Sequence, residues 1–237
     1  MGIKVAINKT KGKNKEDYLI VNQIISSGML QEKRYEIHLE ENDINKKYAI
    51  INNDDGKIHI FKAVPETHYM QMDTLTELRI HTNRVMGLAL DPETMNLYSC
   101  STDKTFYVTN LNDSNFTNVL VCTSTSGYTN LVFDGPNHRI FLTNEEGELS
   151  IYSTIIYPPN QVRSLMTSGM SCIRALFLDN FNNFLFTGSV NGQISIMNLG
   201  PPGKERLISE MSSFSIGKMK IRVCVGNPKS TELITGA

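Results

Sequence analysis

Thr143-Asn-Glu-Glu-Gly-Glu-Leu-Ser-Ile-Tyr152 reads as a strand, a tight turn on glycine and a second, alternating strand, and the chain contains that pattern four times. The other copies are Asn52-Asn-Asp-Asp-Gly-Lys-Ile-His-Ile-Phe61, Cys100-Ser-Thr-Asp-Lys-Thr-Phe-Tyr-Val-Thr109 and Gly188-Ser-Val-Asn-Gly-Gln-Ile-Ser-Ile-Met197. The turn position falls at Gly56, Lys104, Gly147 and Gly192, so successive copies stand 48, 43 and 45 residues apart (104 − 56, 147 − 104, 192 − 147). A recurring separation of that size marks an array of supersecondary units, each long enough for a four-stranded blade. Asp55-Gly56, Glu146-Gly147 and Asn191-Gly192 put glycine where a two-residue hairpin needs a positive φ; Lys104 is the exception.

Outward from each hairpin the pattern continues. Val85-Met-Gly-Leu-Ala-Leu-Asp91, Leu131-Val-Phe-Asp134 and Ile173-Arg-Ala-Leu-Phe-Leu-Asp179 read as inner strands that end in a polar corner. Outer strands are expected at Asn118 to Cys122, Val162 to Met166 and Arg206 to Ser209, with the weak pattern of strands that turn one face to water. Ile221 to Pro228 and Glu232 to Ala237 begin the unit again, and Ile3 to Asn8 and Tyr18 to Ile24 read as two short strands joined by the Lys9 to Lys15 run. The expected fold is therefore all-β, a propeller of four-stranded antiparallel blades. Four blades are complete, over 34–80, 81–122, 123–167 and 168–213, with partial blades over 1–33 and 214–237. Either the partial blades close into a five-bladed ring or the chain is a piece of a longer propeller. The second is expected, because a blade broken between its second and third strands exposes a sheet edge.

These units resemble WD repeats, most closely in the second blade. Ile80-His-Thr-Asn-Arg-Val85 is similar to the family's Gly-His loop, and Ser101-Thr-Asp103 to its second strand and turn. The resemblance gives His81, Ser101 and Asp103 roles in the hydrogen-bonded tetrad of that family. The fourth member, Trp, is replaced by Phe61, Thr109, Tyr152 and Met197, and the chain holds no Trp at all. From Glu36 onward the order of features is similar to the propeller of the endosomal WD-repeat and FYVE-domain proteins. Those features are Phe61 to Met70, Ile80 to Val85, Ser101 to Lys104, and Gly200-Pro-Pro-Gly-Lys204. A FYVE module would read lipid, but its cysteine pairs and basic motif do not occur in this sequence. Lipid contact is expected only through such a module outside it.

Bulk properties narrow the function. With 23 basic and 24 acidic residues the formal charge is -1 over 237 residues, so no field draws the whole molecule to nucleic acid or an anionic membrane. No apolar run reaches membrane-span length and no secretory signal is visible, so a cytoplasmic location is expected, endosome-associated if the closer resemblance holds. Met1-Gly2 is followed by Ala6 where myristoylation wants Ser or Thr. Cys100, Cys122, Cys172 and Cys224 are too scattered for a metal or redox motif and read as buried free thiols.

Signatures of catalysis are missing, and Gly200-Pro-Pro-Gly-Lys204 has neither the spacing nor the backbone donors of a phosphate loop. Asp55, Asp103 and Glu146 are turn carboxylates that accept backbone N–H groups. No enzyme activity, cofactor or metal is expected. The loops leading into the inner strands carry Arg84, Tyr128, Met170, Arg174, Lys218, Lys220 and Arg222, residue types suited to protein interfaces. The expected function is a protein-protein interaction scaffold or adaptor linked to endosomal membrane traffic. The alternative is a structural WD-repeat subunit of a cytoskeletal, ciliary or other multiprotein assembly.

Overall fold

The computed structural model describes residues 8–9, 19–20, 48–52, 54–63, 72–166, 171–200, 212–215, 221, 223–227 and 232–236. They form antiparallel sheets, in two compact units, Met1–Arg79 and Ile80–Ala237. In the first, β1 (Asn8–Lys9) pairs with β2 (Leu19–Ile20), and β3 (Tyr48–Asn52), β4 (Ile58–Ala63) and β5 (Met72–Leu78) make a three-stranded sheet. In the second, three four-stranded meanders follow one another. They are β6 (Val85–Asp91) to β9 (Asn118–Thr123), β10 (Tyr128–Asp134) to β13 (Asn160–Met166), and β14 (Ile173–Asp179) to β17 (Ser212–Ser215). Their middle strands are β7 (Asn96–Ser101), β8 (Thr105–Asn110), β11 (Arg139–Asn144), β12 (Glu148–Ser153), β15 (Phe184–Ser189) and β16 (Gln193–Asn198). A two-stranded sheet of β18 (Val223–Asn227) and β19 (Glu232–Gly236) completes this unit.

Three of the four expected complete units are thus four-stranded sheets. The one expected over 34–80 shows three strands among the described residues. The outer strand expected at 206–209 lies outside the described residues; β17 pairs with β16 through Ser212–Ser215 instead.

The repeat extends to single backbone hydrogen bonds. Thr102, Glu145 and Val190 each donate their N–H to the carbonyl eighteen positions upstream, at Arg84, Gly127 and Cys172, with each bond at 3.0 Å. At the opposite end, the N–H groups of Leu111, Thr154 and Leu199 reach the carbonyls of Met95, His138 and Asn183 at 2.9, 2.9 and 2.7 Å. Met95, His138 and Asn183 all have positive φ, at 56°, 51° and 58°, four residues after the buried Asp91, Asp134 and Asp179. Each of these aspartates closes its corner. Asp91 accepts from Glu93 N–H, Asp179 from the N–H groups of Phe181 and Asn182, and Asp134 from Asn137 and Arg139. A polar end to an apolar strand therefore fixes where the chain reverses.

The hairpins are not two-residue turns. Three residues lie between the strand ends, at 102–104, 145–147 and 190–192, and the last of each sits in the left-handed region. Gly56, Gly147 and Gly192 have φ of 84°, 86° and 83°, and Lys104 has 74°. The N–H of Lys104, Gly147 and Gly192 bonds to the carbonyl three residues back, at 3.2, 3.3 and 3.2 Å. This is the three-residue loop that ends on a left-handed residue, and glycine meets that demand at no steric cost.

Alternation along the strands decides the packing. In β11, buried from end to end, Ile140 and Leu142 point toward the preceding sheet, where they join Tyr98, Cys100, Phe106 and Val108. Phe141, between them, points toward the following sheet and joins Leu185, Met197 and Leu199. A strand whose two faces both meet a neighbour has no polar face to show. By contrast, β13 is mostly exposed, as an outer strand should be. The inner strands β6, β10, β14 and β18 lie against one another in chain order. β6 and β10 come close at Gly87, where an added Cβ would stand 2.5 Å from Leu131 Cβ and 2.7 Å from Leu131 N.

Two outcomes follow from these contacts. Lys104→Gly should raise the unfolding free energy in urea by about 0.5–1 kcal/mol, since it removes the Cβ penalty of a positive φ; an unchanged or lowered midpoint contradicts the turn. Gly87→Ala should lower it by about 1–3 kcal/mol, and a silent substitution contradicts the approach of β6 to β10.

Candidate functional site

His81 joins three side chains of the second unit. Its side chain is fully buried, and its Nε2 lies 2.9 Å from Ser99 Oγ. Nδ1 lies 2.8 Å from Thr105 Oγ1 and 3.3 Å from Asp103 Oδ2. Thr105 donates its hydroxyl to Asp103 Oδ1 at 2.5 Å, so it accepts from His81 Nδ1–H, and Ser99 donates to Nε2. Burial disfavours the charged ring, which leaves Nε2 to accept and the proton of the neutral imidazole on Nδ1. Asp103 also accepts the N–H groups of Thr82 at 2.8 Å and Thr105 at 3.0 Å. The edge of His81 meets Tyr107, with ring centroids 5.3 Å apart.

Of the three tetrad residues named from sequence, His81 and Asp103 are joined directly. Ser101 is not bonded to His81: its hydroxyl donates to the Asn83 carbonyl and accepts Asp103 N–H, both at 3.0 Å. The serine on the histidine is Ser99, two residues earlier, and Thr105 is the other added member. Either serine has the right chemistry and both lie on the same face of β7, so position along the strand decides: Ser99 reaches the ring, and Ser101, at the strand's end, closes the hairpin and the Asn83 carbonyl.

Ser99, His81 and Asp103 have the connectivity of a nucleophile, a base and an orienting acid. Ser99 has no exposed surface, however, so a substrate carbonyl cannot reach it. What the cluster can do is tie the loop before β6 to the hairpin between β7 and β8. Burial pushes the His81 pKa below its ordinary value of 6.5 against the pull of Asp103. For Asp103, burial pushes upward, but the bonds from Thr105 and Thr82 and the neighbouring His81 hold the carboxyl below 3.8.

The residues expected at the mouth of the inner strands separate. Arg84 is exposed, with its backbone held by Asn83 and Thr102. Arg174 is the second residue of β14, which corrects its expected place on the loop; it is half-exposed and stands 3.9 Å from Glu145 across the gap between neighbouring sheets. Tyr128 is buried, only 4% exposed, which corrects its expected place on the rim. It is the first residue of β10, and its hydroxyl lies 3.0 Å from Cys122 Sγ, which is also 2.8 Å from the Tyr152 hydroxyl. Burial pushes the pKa of both tyrosines far up. The positions of Met170, Lys218, Lys220 and Arg222 lie outside the described residues.

The turn carboxylates divide as well. Asp55 accepts Lys57 N–H at 3.2 Å, as expected. Glu146 instead takes the Thr125 hydroxyl at 3.1 Å, and Asn144 holds the backbone of that turn. Cys100 is fully buried, with its thiol pKa pushed up by burial, whereas Cys122 and Cys172 are half-buried; all three are free.

Sequence reasoning passed over one buried ion pair. Arg139 is bound to Asp134 through Nε and a terminal nitrogen at 3.1 and 2.8 Å, and its guanidinium stands 5.7 Å from the Phe141 ring centroid. Among the described residues no group of three or more His, Cys, Asp or Glu is placed to hold a metal ion, and no helix is long and apolar enough to cross a membrane. No protein-family model matches the chain, and no curated protein matches it.

The depressed His81 pKa gives the cluster a sign that solution experiments can read. Unfolded histidine gains a proton near pH 6.5 while folded His81 does not, so its contribution is complete above that pH and is lost as pH falls toward the folded value. Urea midpoints on either side of pH 6.5 should therefore fall on acidification, and His81→Gln should flatten that slope. An equal slope in the variant contradicts the buried neutral ring.

Proposed function

We propose that the repeated sheets are blades of a WD-repeat-type β-propeller that acts as a non-enzymatic scaffold for other proteins. The observation that carries this reading is the recurrence of the same backbone bonds in three successive four-stranded sheets, whose inner strands lie together in order. A rigid repeat of this kind presents its loops at fixed spacing, and loops on a rigid frame are where binding residues concentrate. The reactive groups that the fold assembles are engaged in holding it. His81, Ser99 and Asp103 form one closed cluster, and Asp134 is committed to Arg139. Arg84, in the loop before β6, and Arg174, near the start of β14, both have exposed surface to offer a partner. The link to endosomal membrane traffic rests on the family resemblance alone.

Arg84→Ala with Arg174→Ala should reduce recovery of bound protein from cell extract and leave the melting temperature in place, since exposed substitutions cost little stability. Tyr128→Ala should lower stability by about 3 kcal/mol or more, as loss of a buried aromatic does. Full recovery of partners by the double arginine variant would overturn the rim as a binding surface.

A further inference from the structure

Asn191 and Gly192 are the one Asn-Gly pair in the sequence, and they stand in the hairpin between β15 and β16. Asparagine before glycine deamidates readily, because glycine has no side chain to shield its backbone nitrogen from the neighbouring amide. That nitrogen, once it has given its proton to hydroxide, attacks the asparagine Cγ. The new Cγ–N bond closes a cyclic imide, the Cγ–Nδ2 bond breaks, and Nδ2 leaves as ammonia with a proton taken from water. Water then adds to either imide carbonyl and opens the ring. One opening gives aspartate; the other gives isoaspartate, in which the main chain runs through Cγ. At the matching positions of the two earlier hairpins of this unit stand Asp103 and Glu146, which have no amide to lose.

The closed hairpin blocks the first step. Gly192 is buried, and its N–H is engaged by the Ser189 carbonyl at 3.2 Å. The Asn191 amide is pinned at both ends. Its Oδ1 takes the Ser189 hydroxyl and, at 3.3 Å, the N–H of Gln193, while its Nδ2 donates to Gln193 Oε1 at 3.2 Å. The Ser189 carbonyl also accepts Ile221 N–H at 3.1 Å, so the same hairpin anchors Ile221, which is fully buried beside Ala175 and Ile194. We propose that Asn191 is a deamidation site kept latent by this hairpin. Opening of the turn admits the reaction, and the isoaspartate product does not reclose, which loosens Ile221. Aspartate fits the same place, since Asp55 and Asp103 already make the bond that Asn191 makes, from Oδ1 to the N–H two residues on, at 3.2 and 3.0 Å. Isoaspartate does not fit, because it adds a main-chain carbon inside a short loop that must bring Gly192 N–H back to Ser189.

The test incubates the full chain at neutral pH, folded and in urea, and follows position 191 by peptide mass spectrometry, with isoaspartate read by isoaspartyl methyltransferase labelling. Deamidation should be about tenfold or more slower in the folded chain, as expected when only the opened hairpin reacts. Ser189→Ala with Gln193→Ala should raise the folded rate and leave the rate in urea unchanged. In both chains the folded rate should track hydrogen exchange of the Gly192 N–H, which reports the same opening whatever the variant does to global stability. Asn191→Asp should melt with the wild type. Chains carrying isoaspartate at this position, separated by chromatography after ageing in urea and then refolded, should melt lower and exchange the Ile221 N–H faster. Four results would overturn the proposal: equal deamidation rates folded and in urea, no reaction at position 191 in urea, folded rates that do not follow Gly192 exchange, and isoaspartate chains that match the wild type in melting and in Ile221 exchange.

Discussion

The fold rests on the burial of each middle sheet between two neighbours. A single four-stranded sheet of this sequence has apolar side chains on both faces. In β11 these are Ile140 and Leu142 on one face and Phe141 on the other, and water can be excluded from both only if another sheet stands on each. This need fixes the rest. The inner strands must come close, hence Gly87 against Leu131, and the outer strand β13 is left mostly exposed. The polar groups trapped within the stack must find partners there, because an unpaired buried group costs about 1–3 kcal/mol. Asp134 finds Arg139, and His81 finds Ser99, Thr105 and Asp103.

The corners and hairpins solve the remaining problem, which is to reverse the chain at fixed intervals without spoiling that burial. Each corner uses a buried aspartate followed four residues later by a left-handed residue, and each hairpin uses a left-handed third residue. The corner positions hold Met95, His138 and Asn183, none of them glycine, so the recurring bonds from Leu111, Thr154 and Leu199 hold a conformation that side chains disfavour. The same reversals set what the two ends of the unit expose. One end carries Arg84 and the other Ile155, Ile156 and Tyr157.

What the sequence shows is the part governed by period and by glycine. Gly56, Gly147 and Gly192 mark the hairpins, and the aspartate corners end the inner strands where expected. Loop length was harder to see, since Asp-Gly and Asn-Gly suit a two-residue turn equally well. Lys104 breaks the glycine pattern while keeping the same backbone. In the cluster, His81 and Asp103 were legible from their loop and turn, whereas Ser99 and Ser101 share a face of β7, and choosing between them needs the distance along that strand at which His81 is placed. Tyr128 looked like a rim residue because it precedes an apolar run, yet it already belongs to β10, where its hydroxyl finds a partner in the half-buried Cys122. Arg139 gave no signal, because an arginine at the start of a strand is usually solvated.

Face-to-face stacking of consecutive sheets can be read directly from nuclear Overhauser contacts in the full chain. The account predicts cross-peaks between the Gly87 α-protons and the Leu131 side chain, and between the rings of Phe106 and Tyr152, whose centroids are 5.2 Å apart on adjoining sheets. Intact strand-to-strand contacts within each sheet, with neither of these inter-sheet peaks, would contradict it.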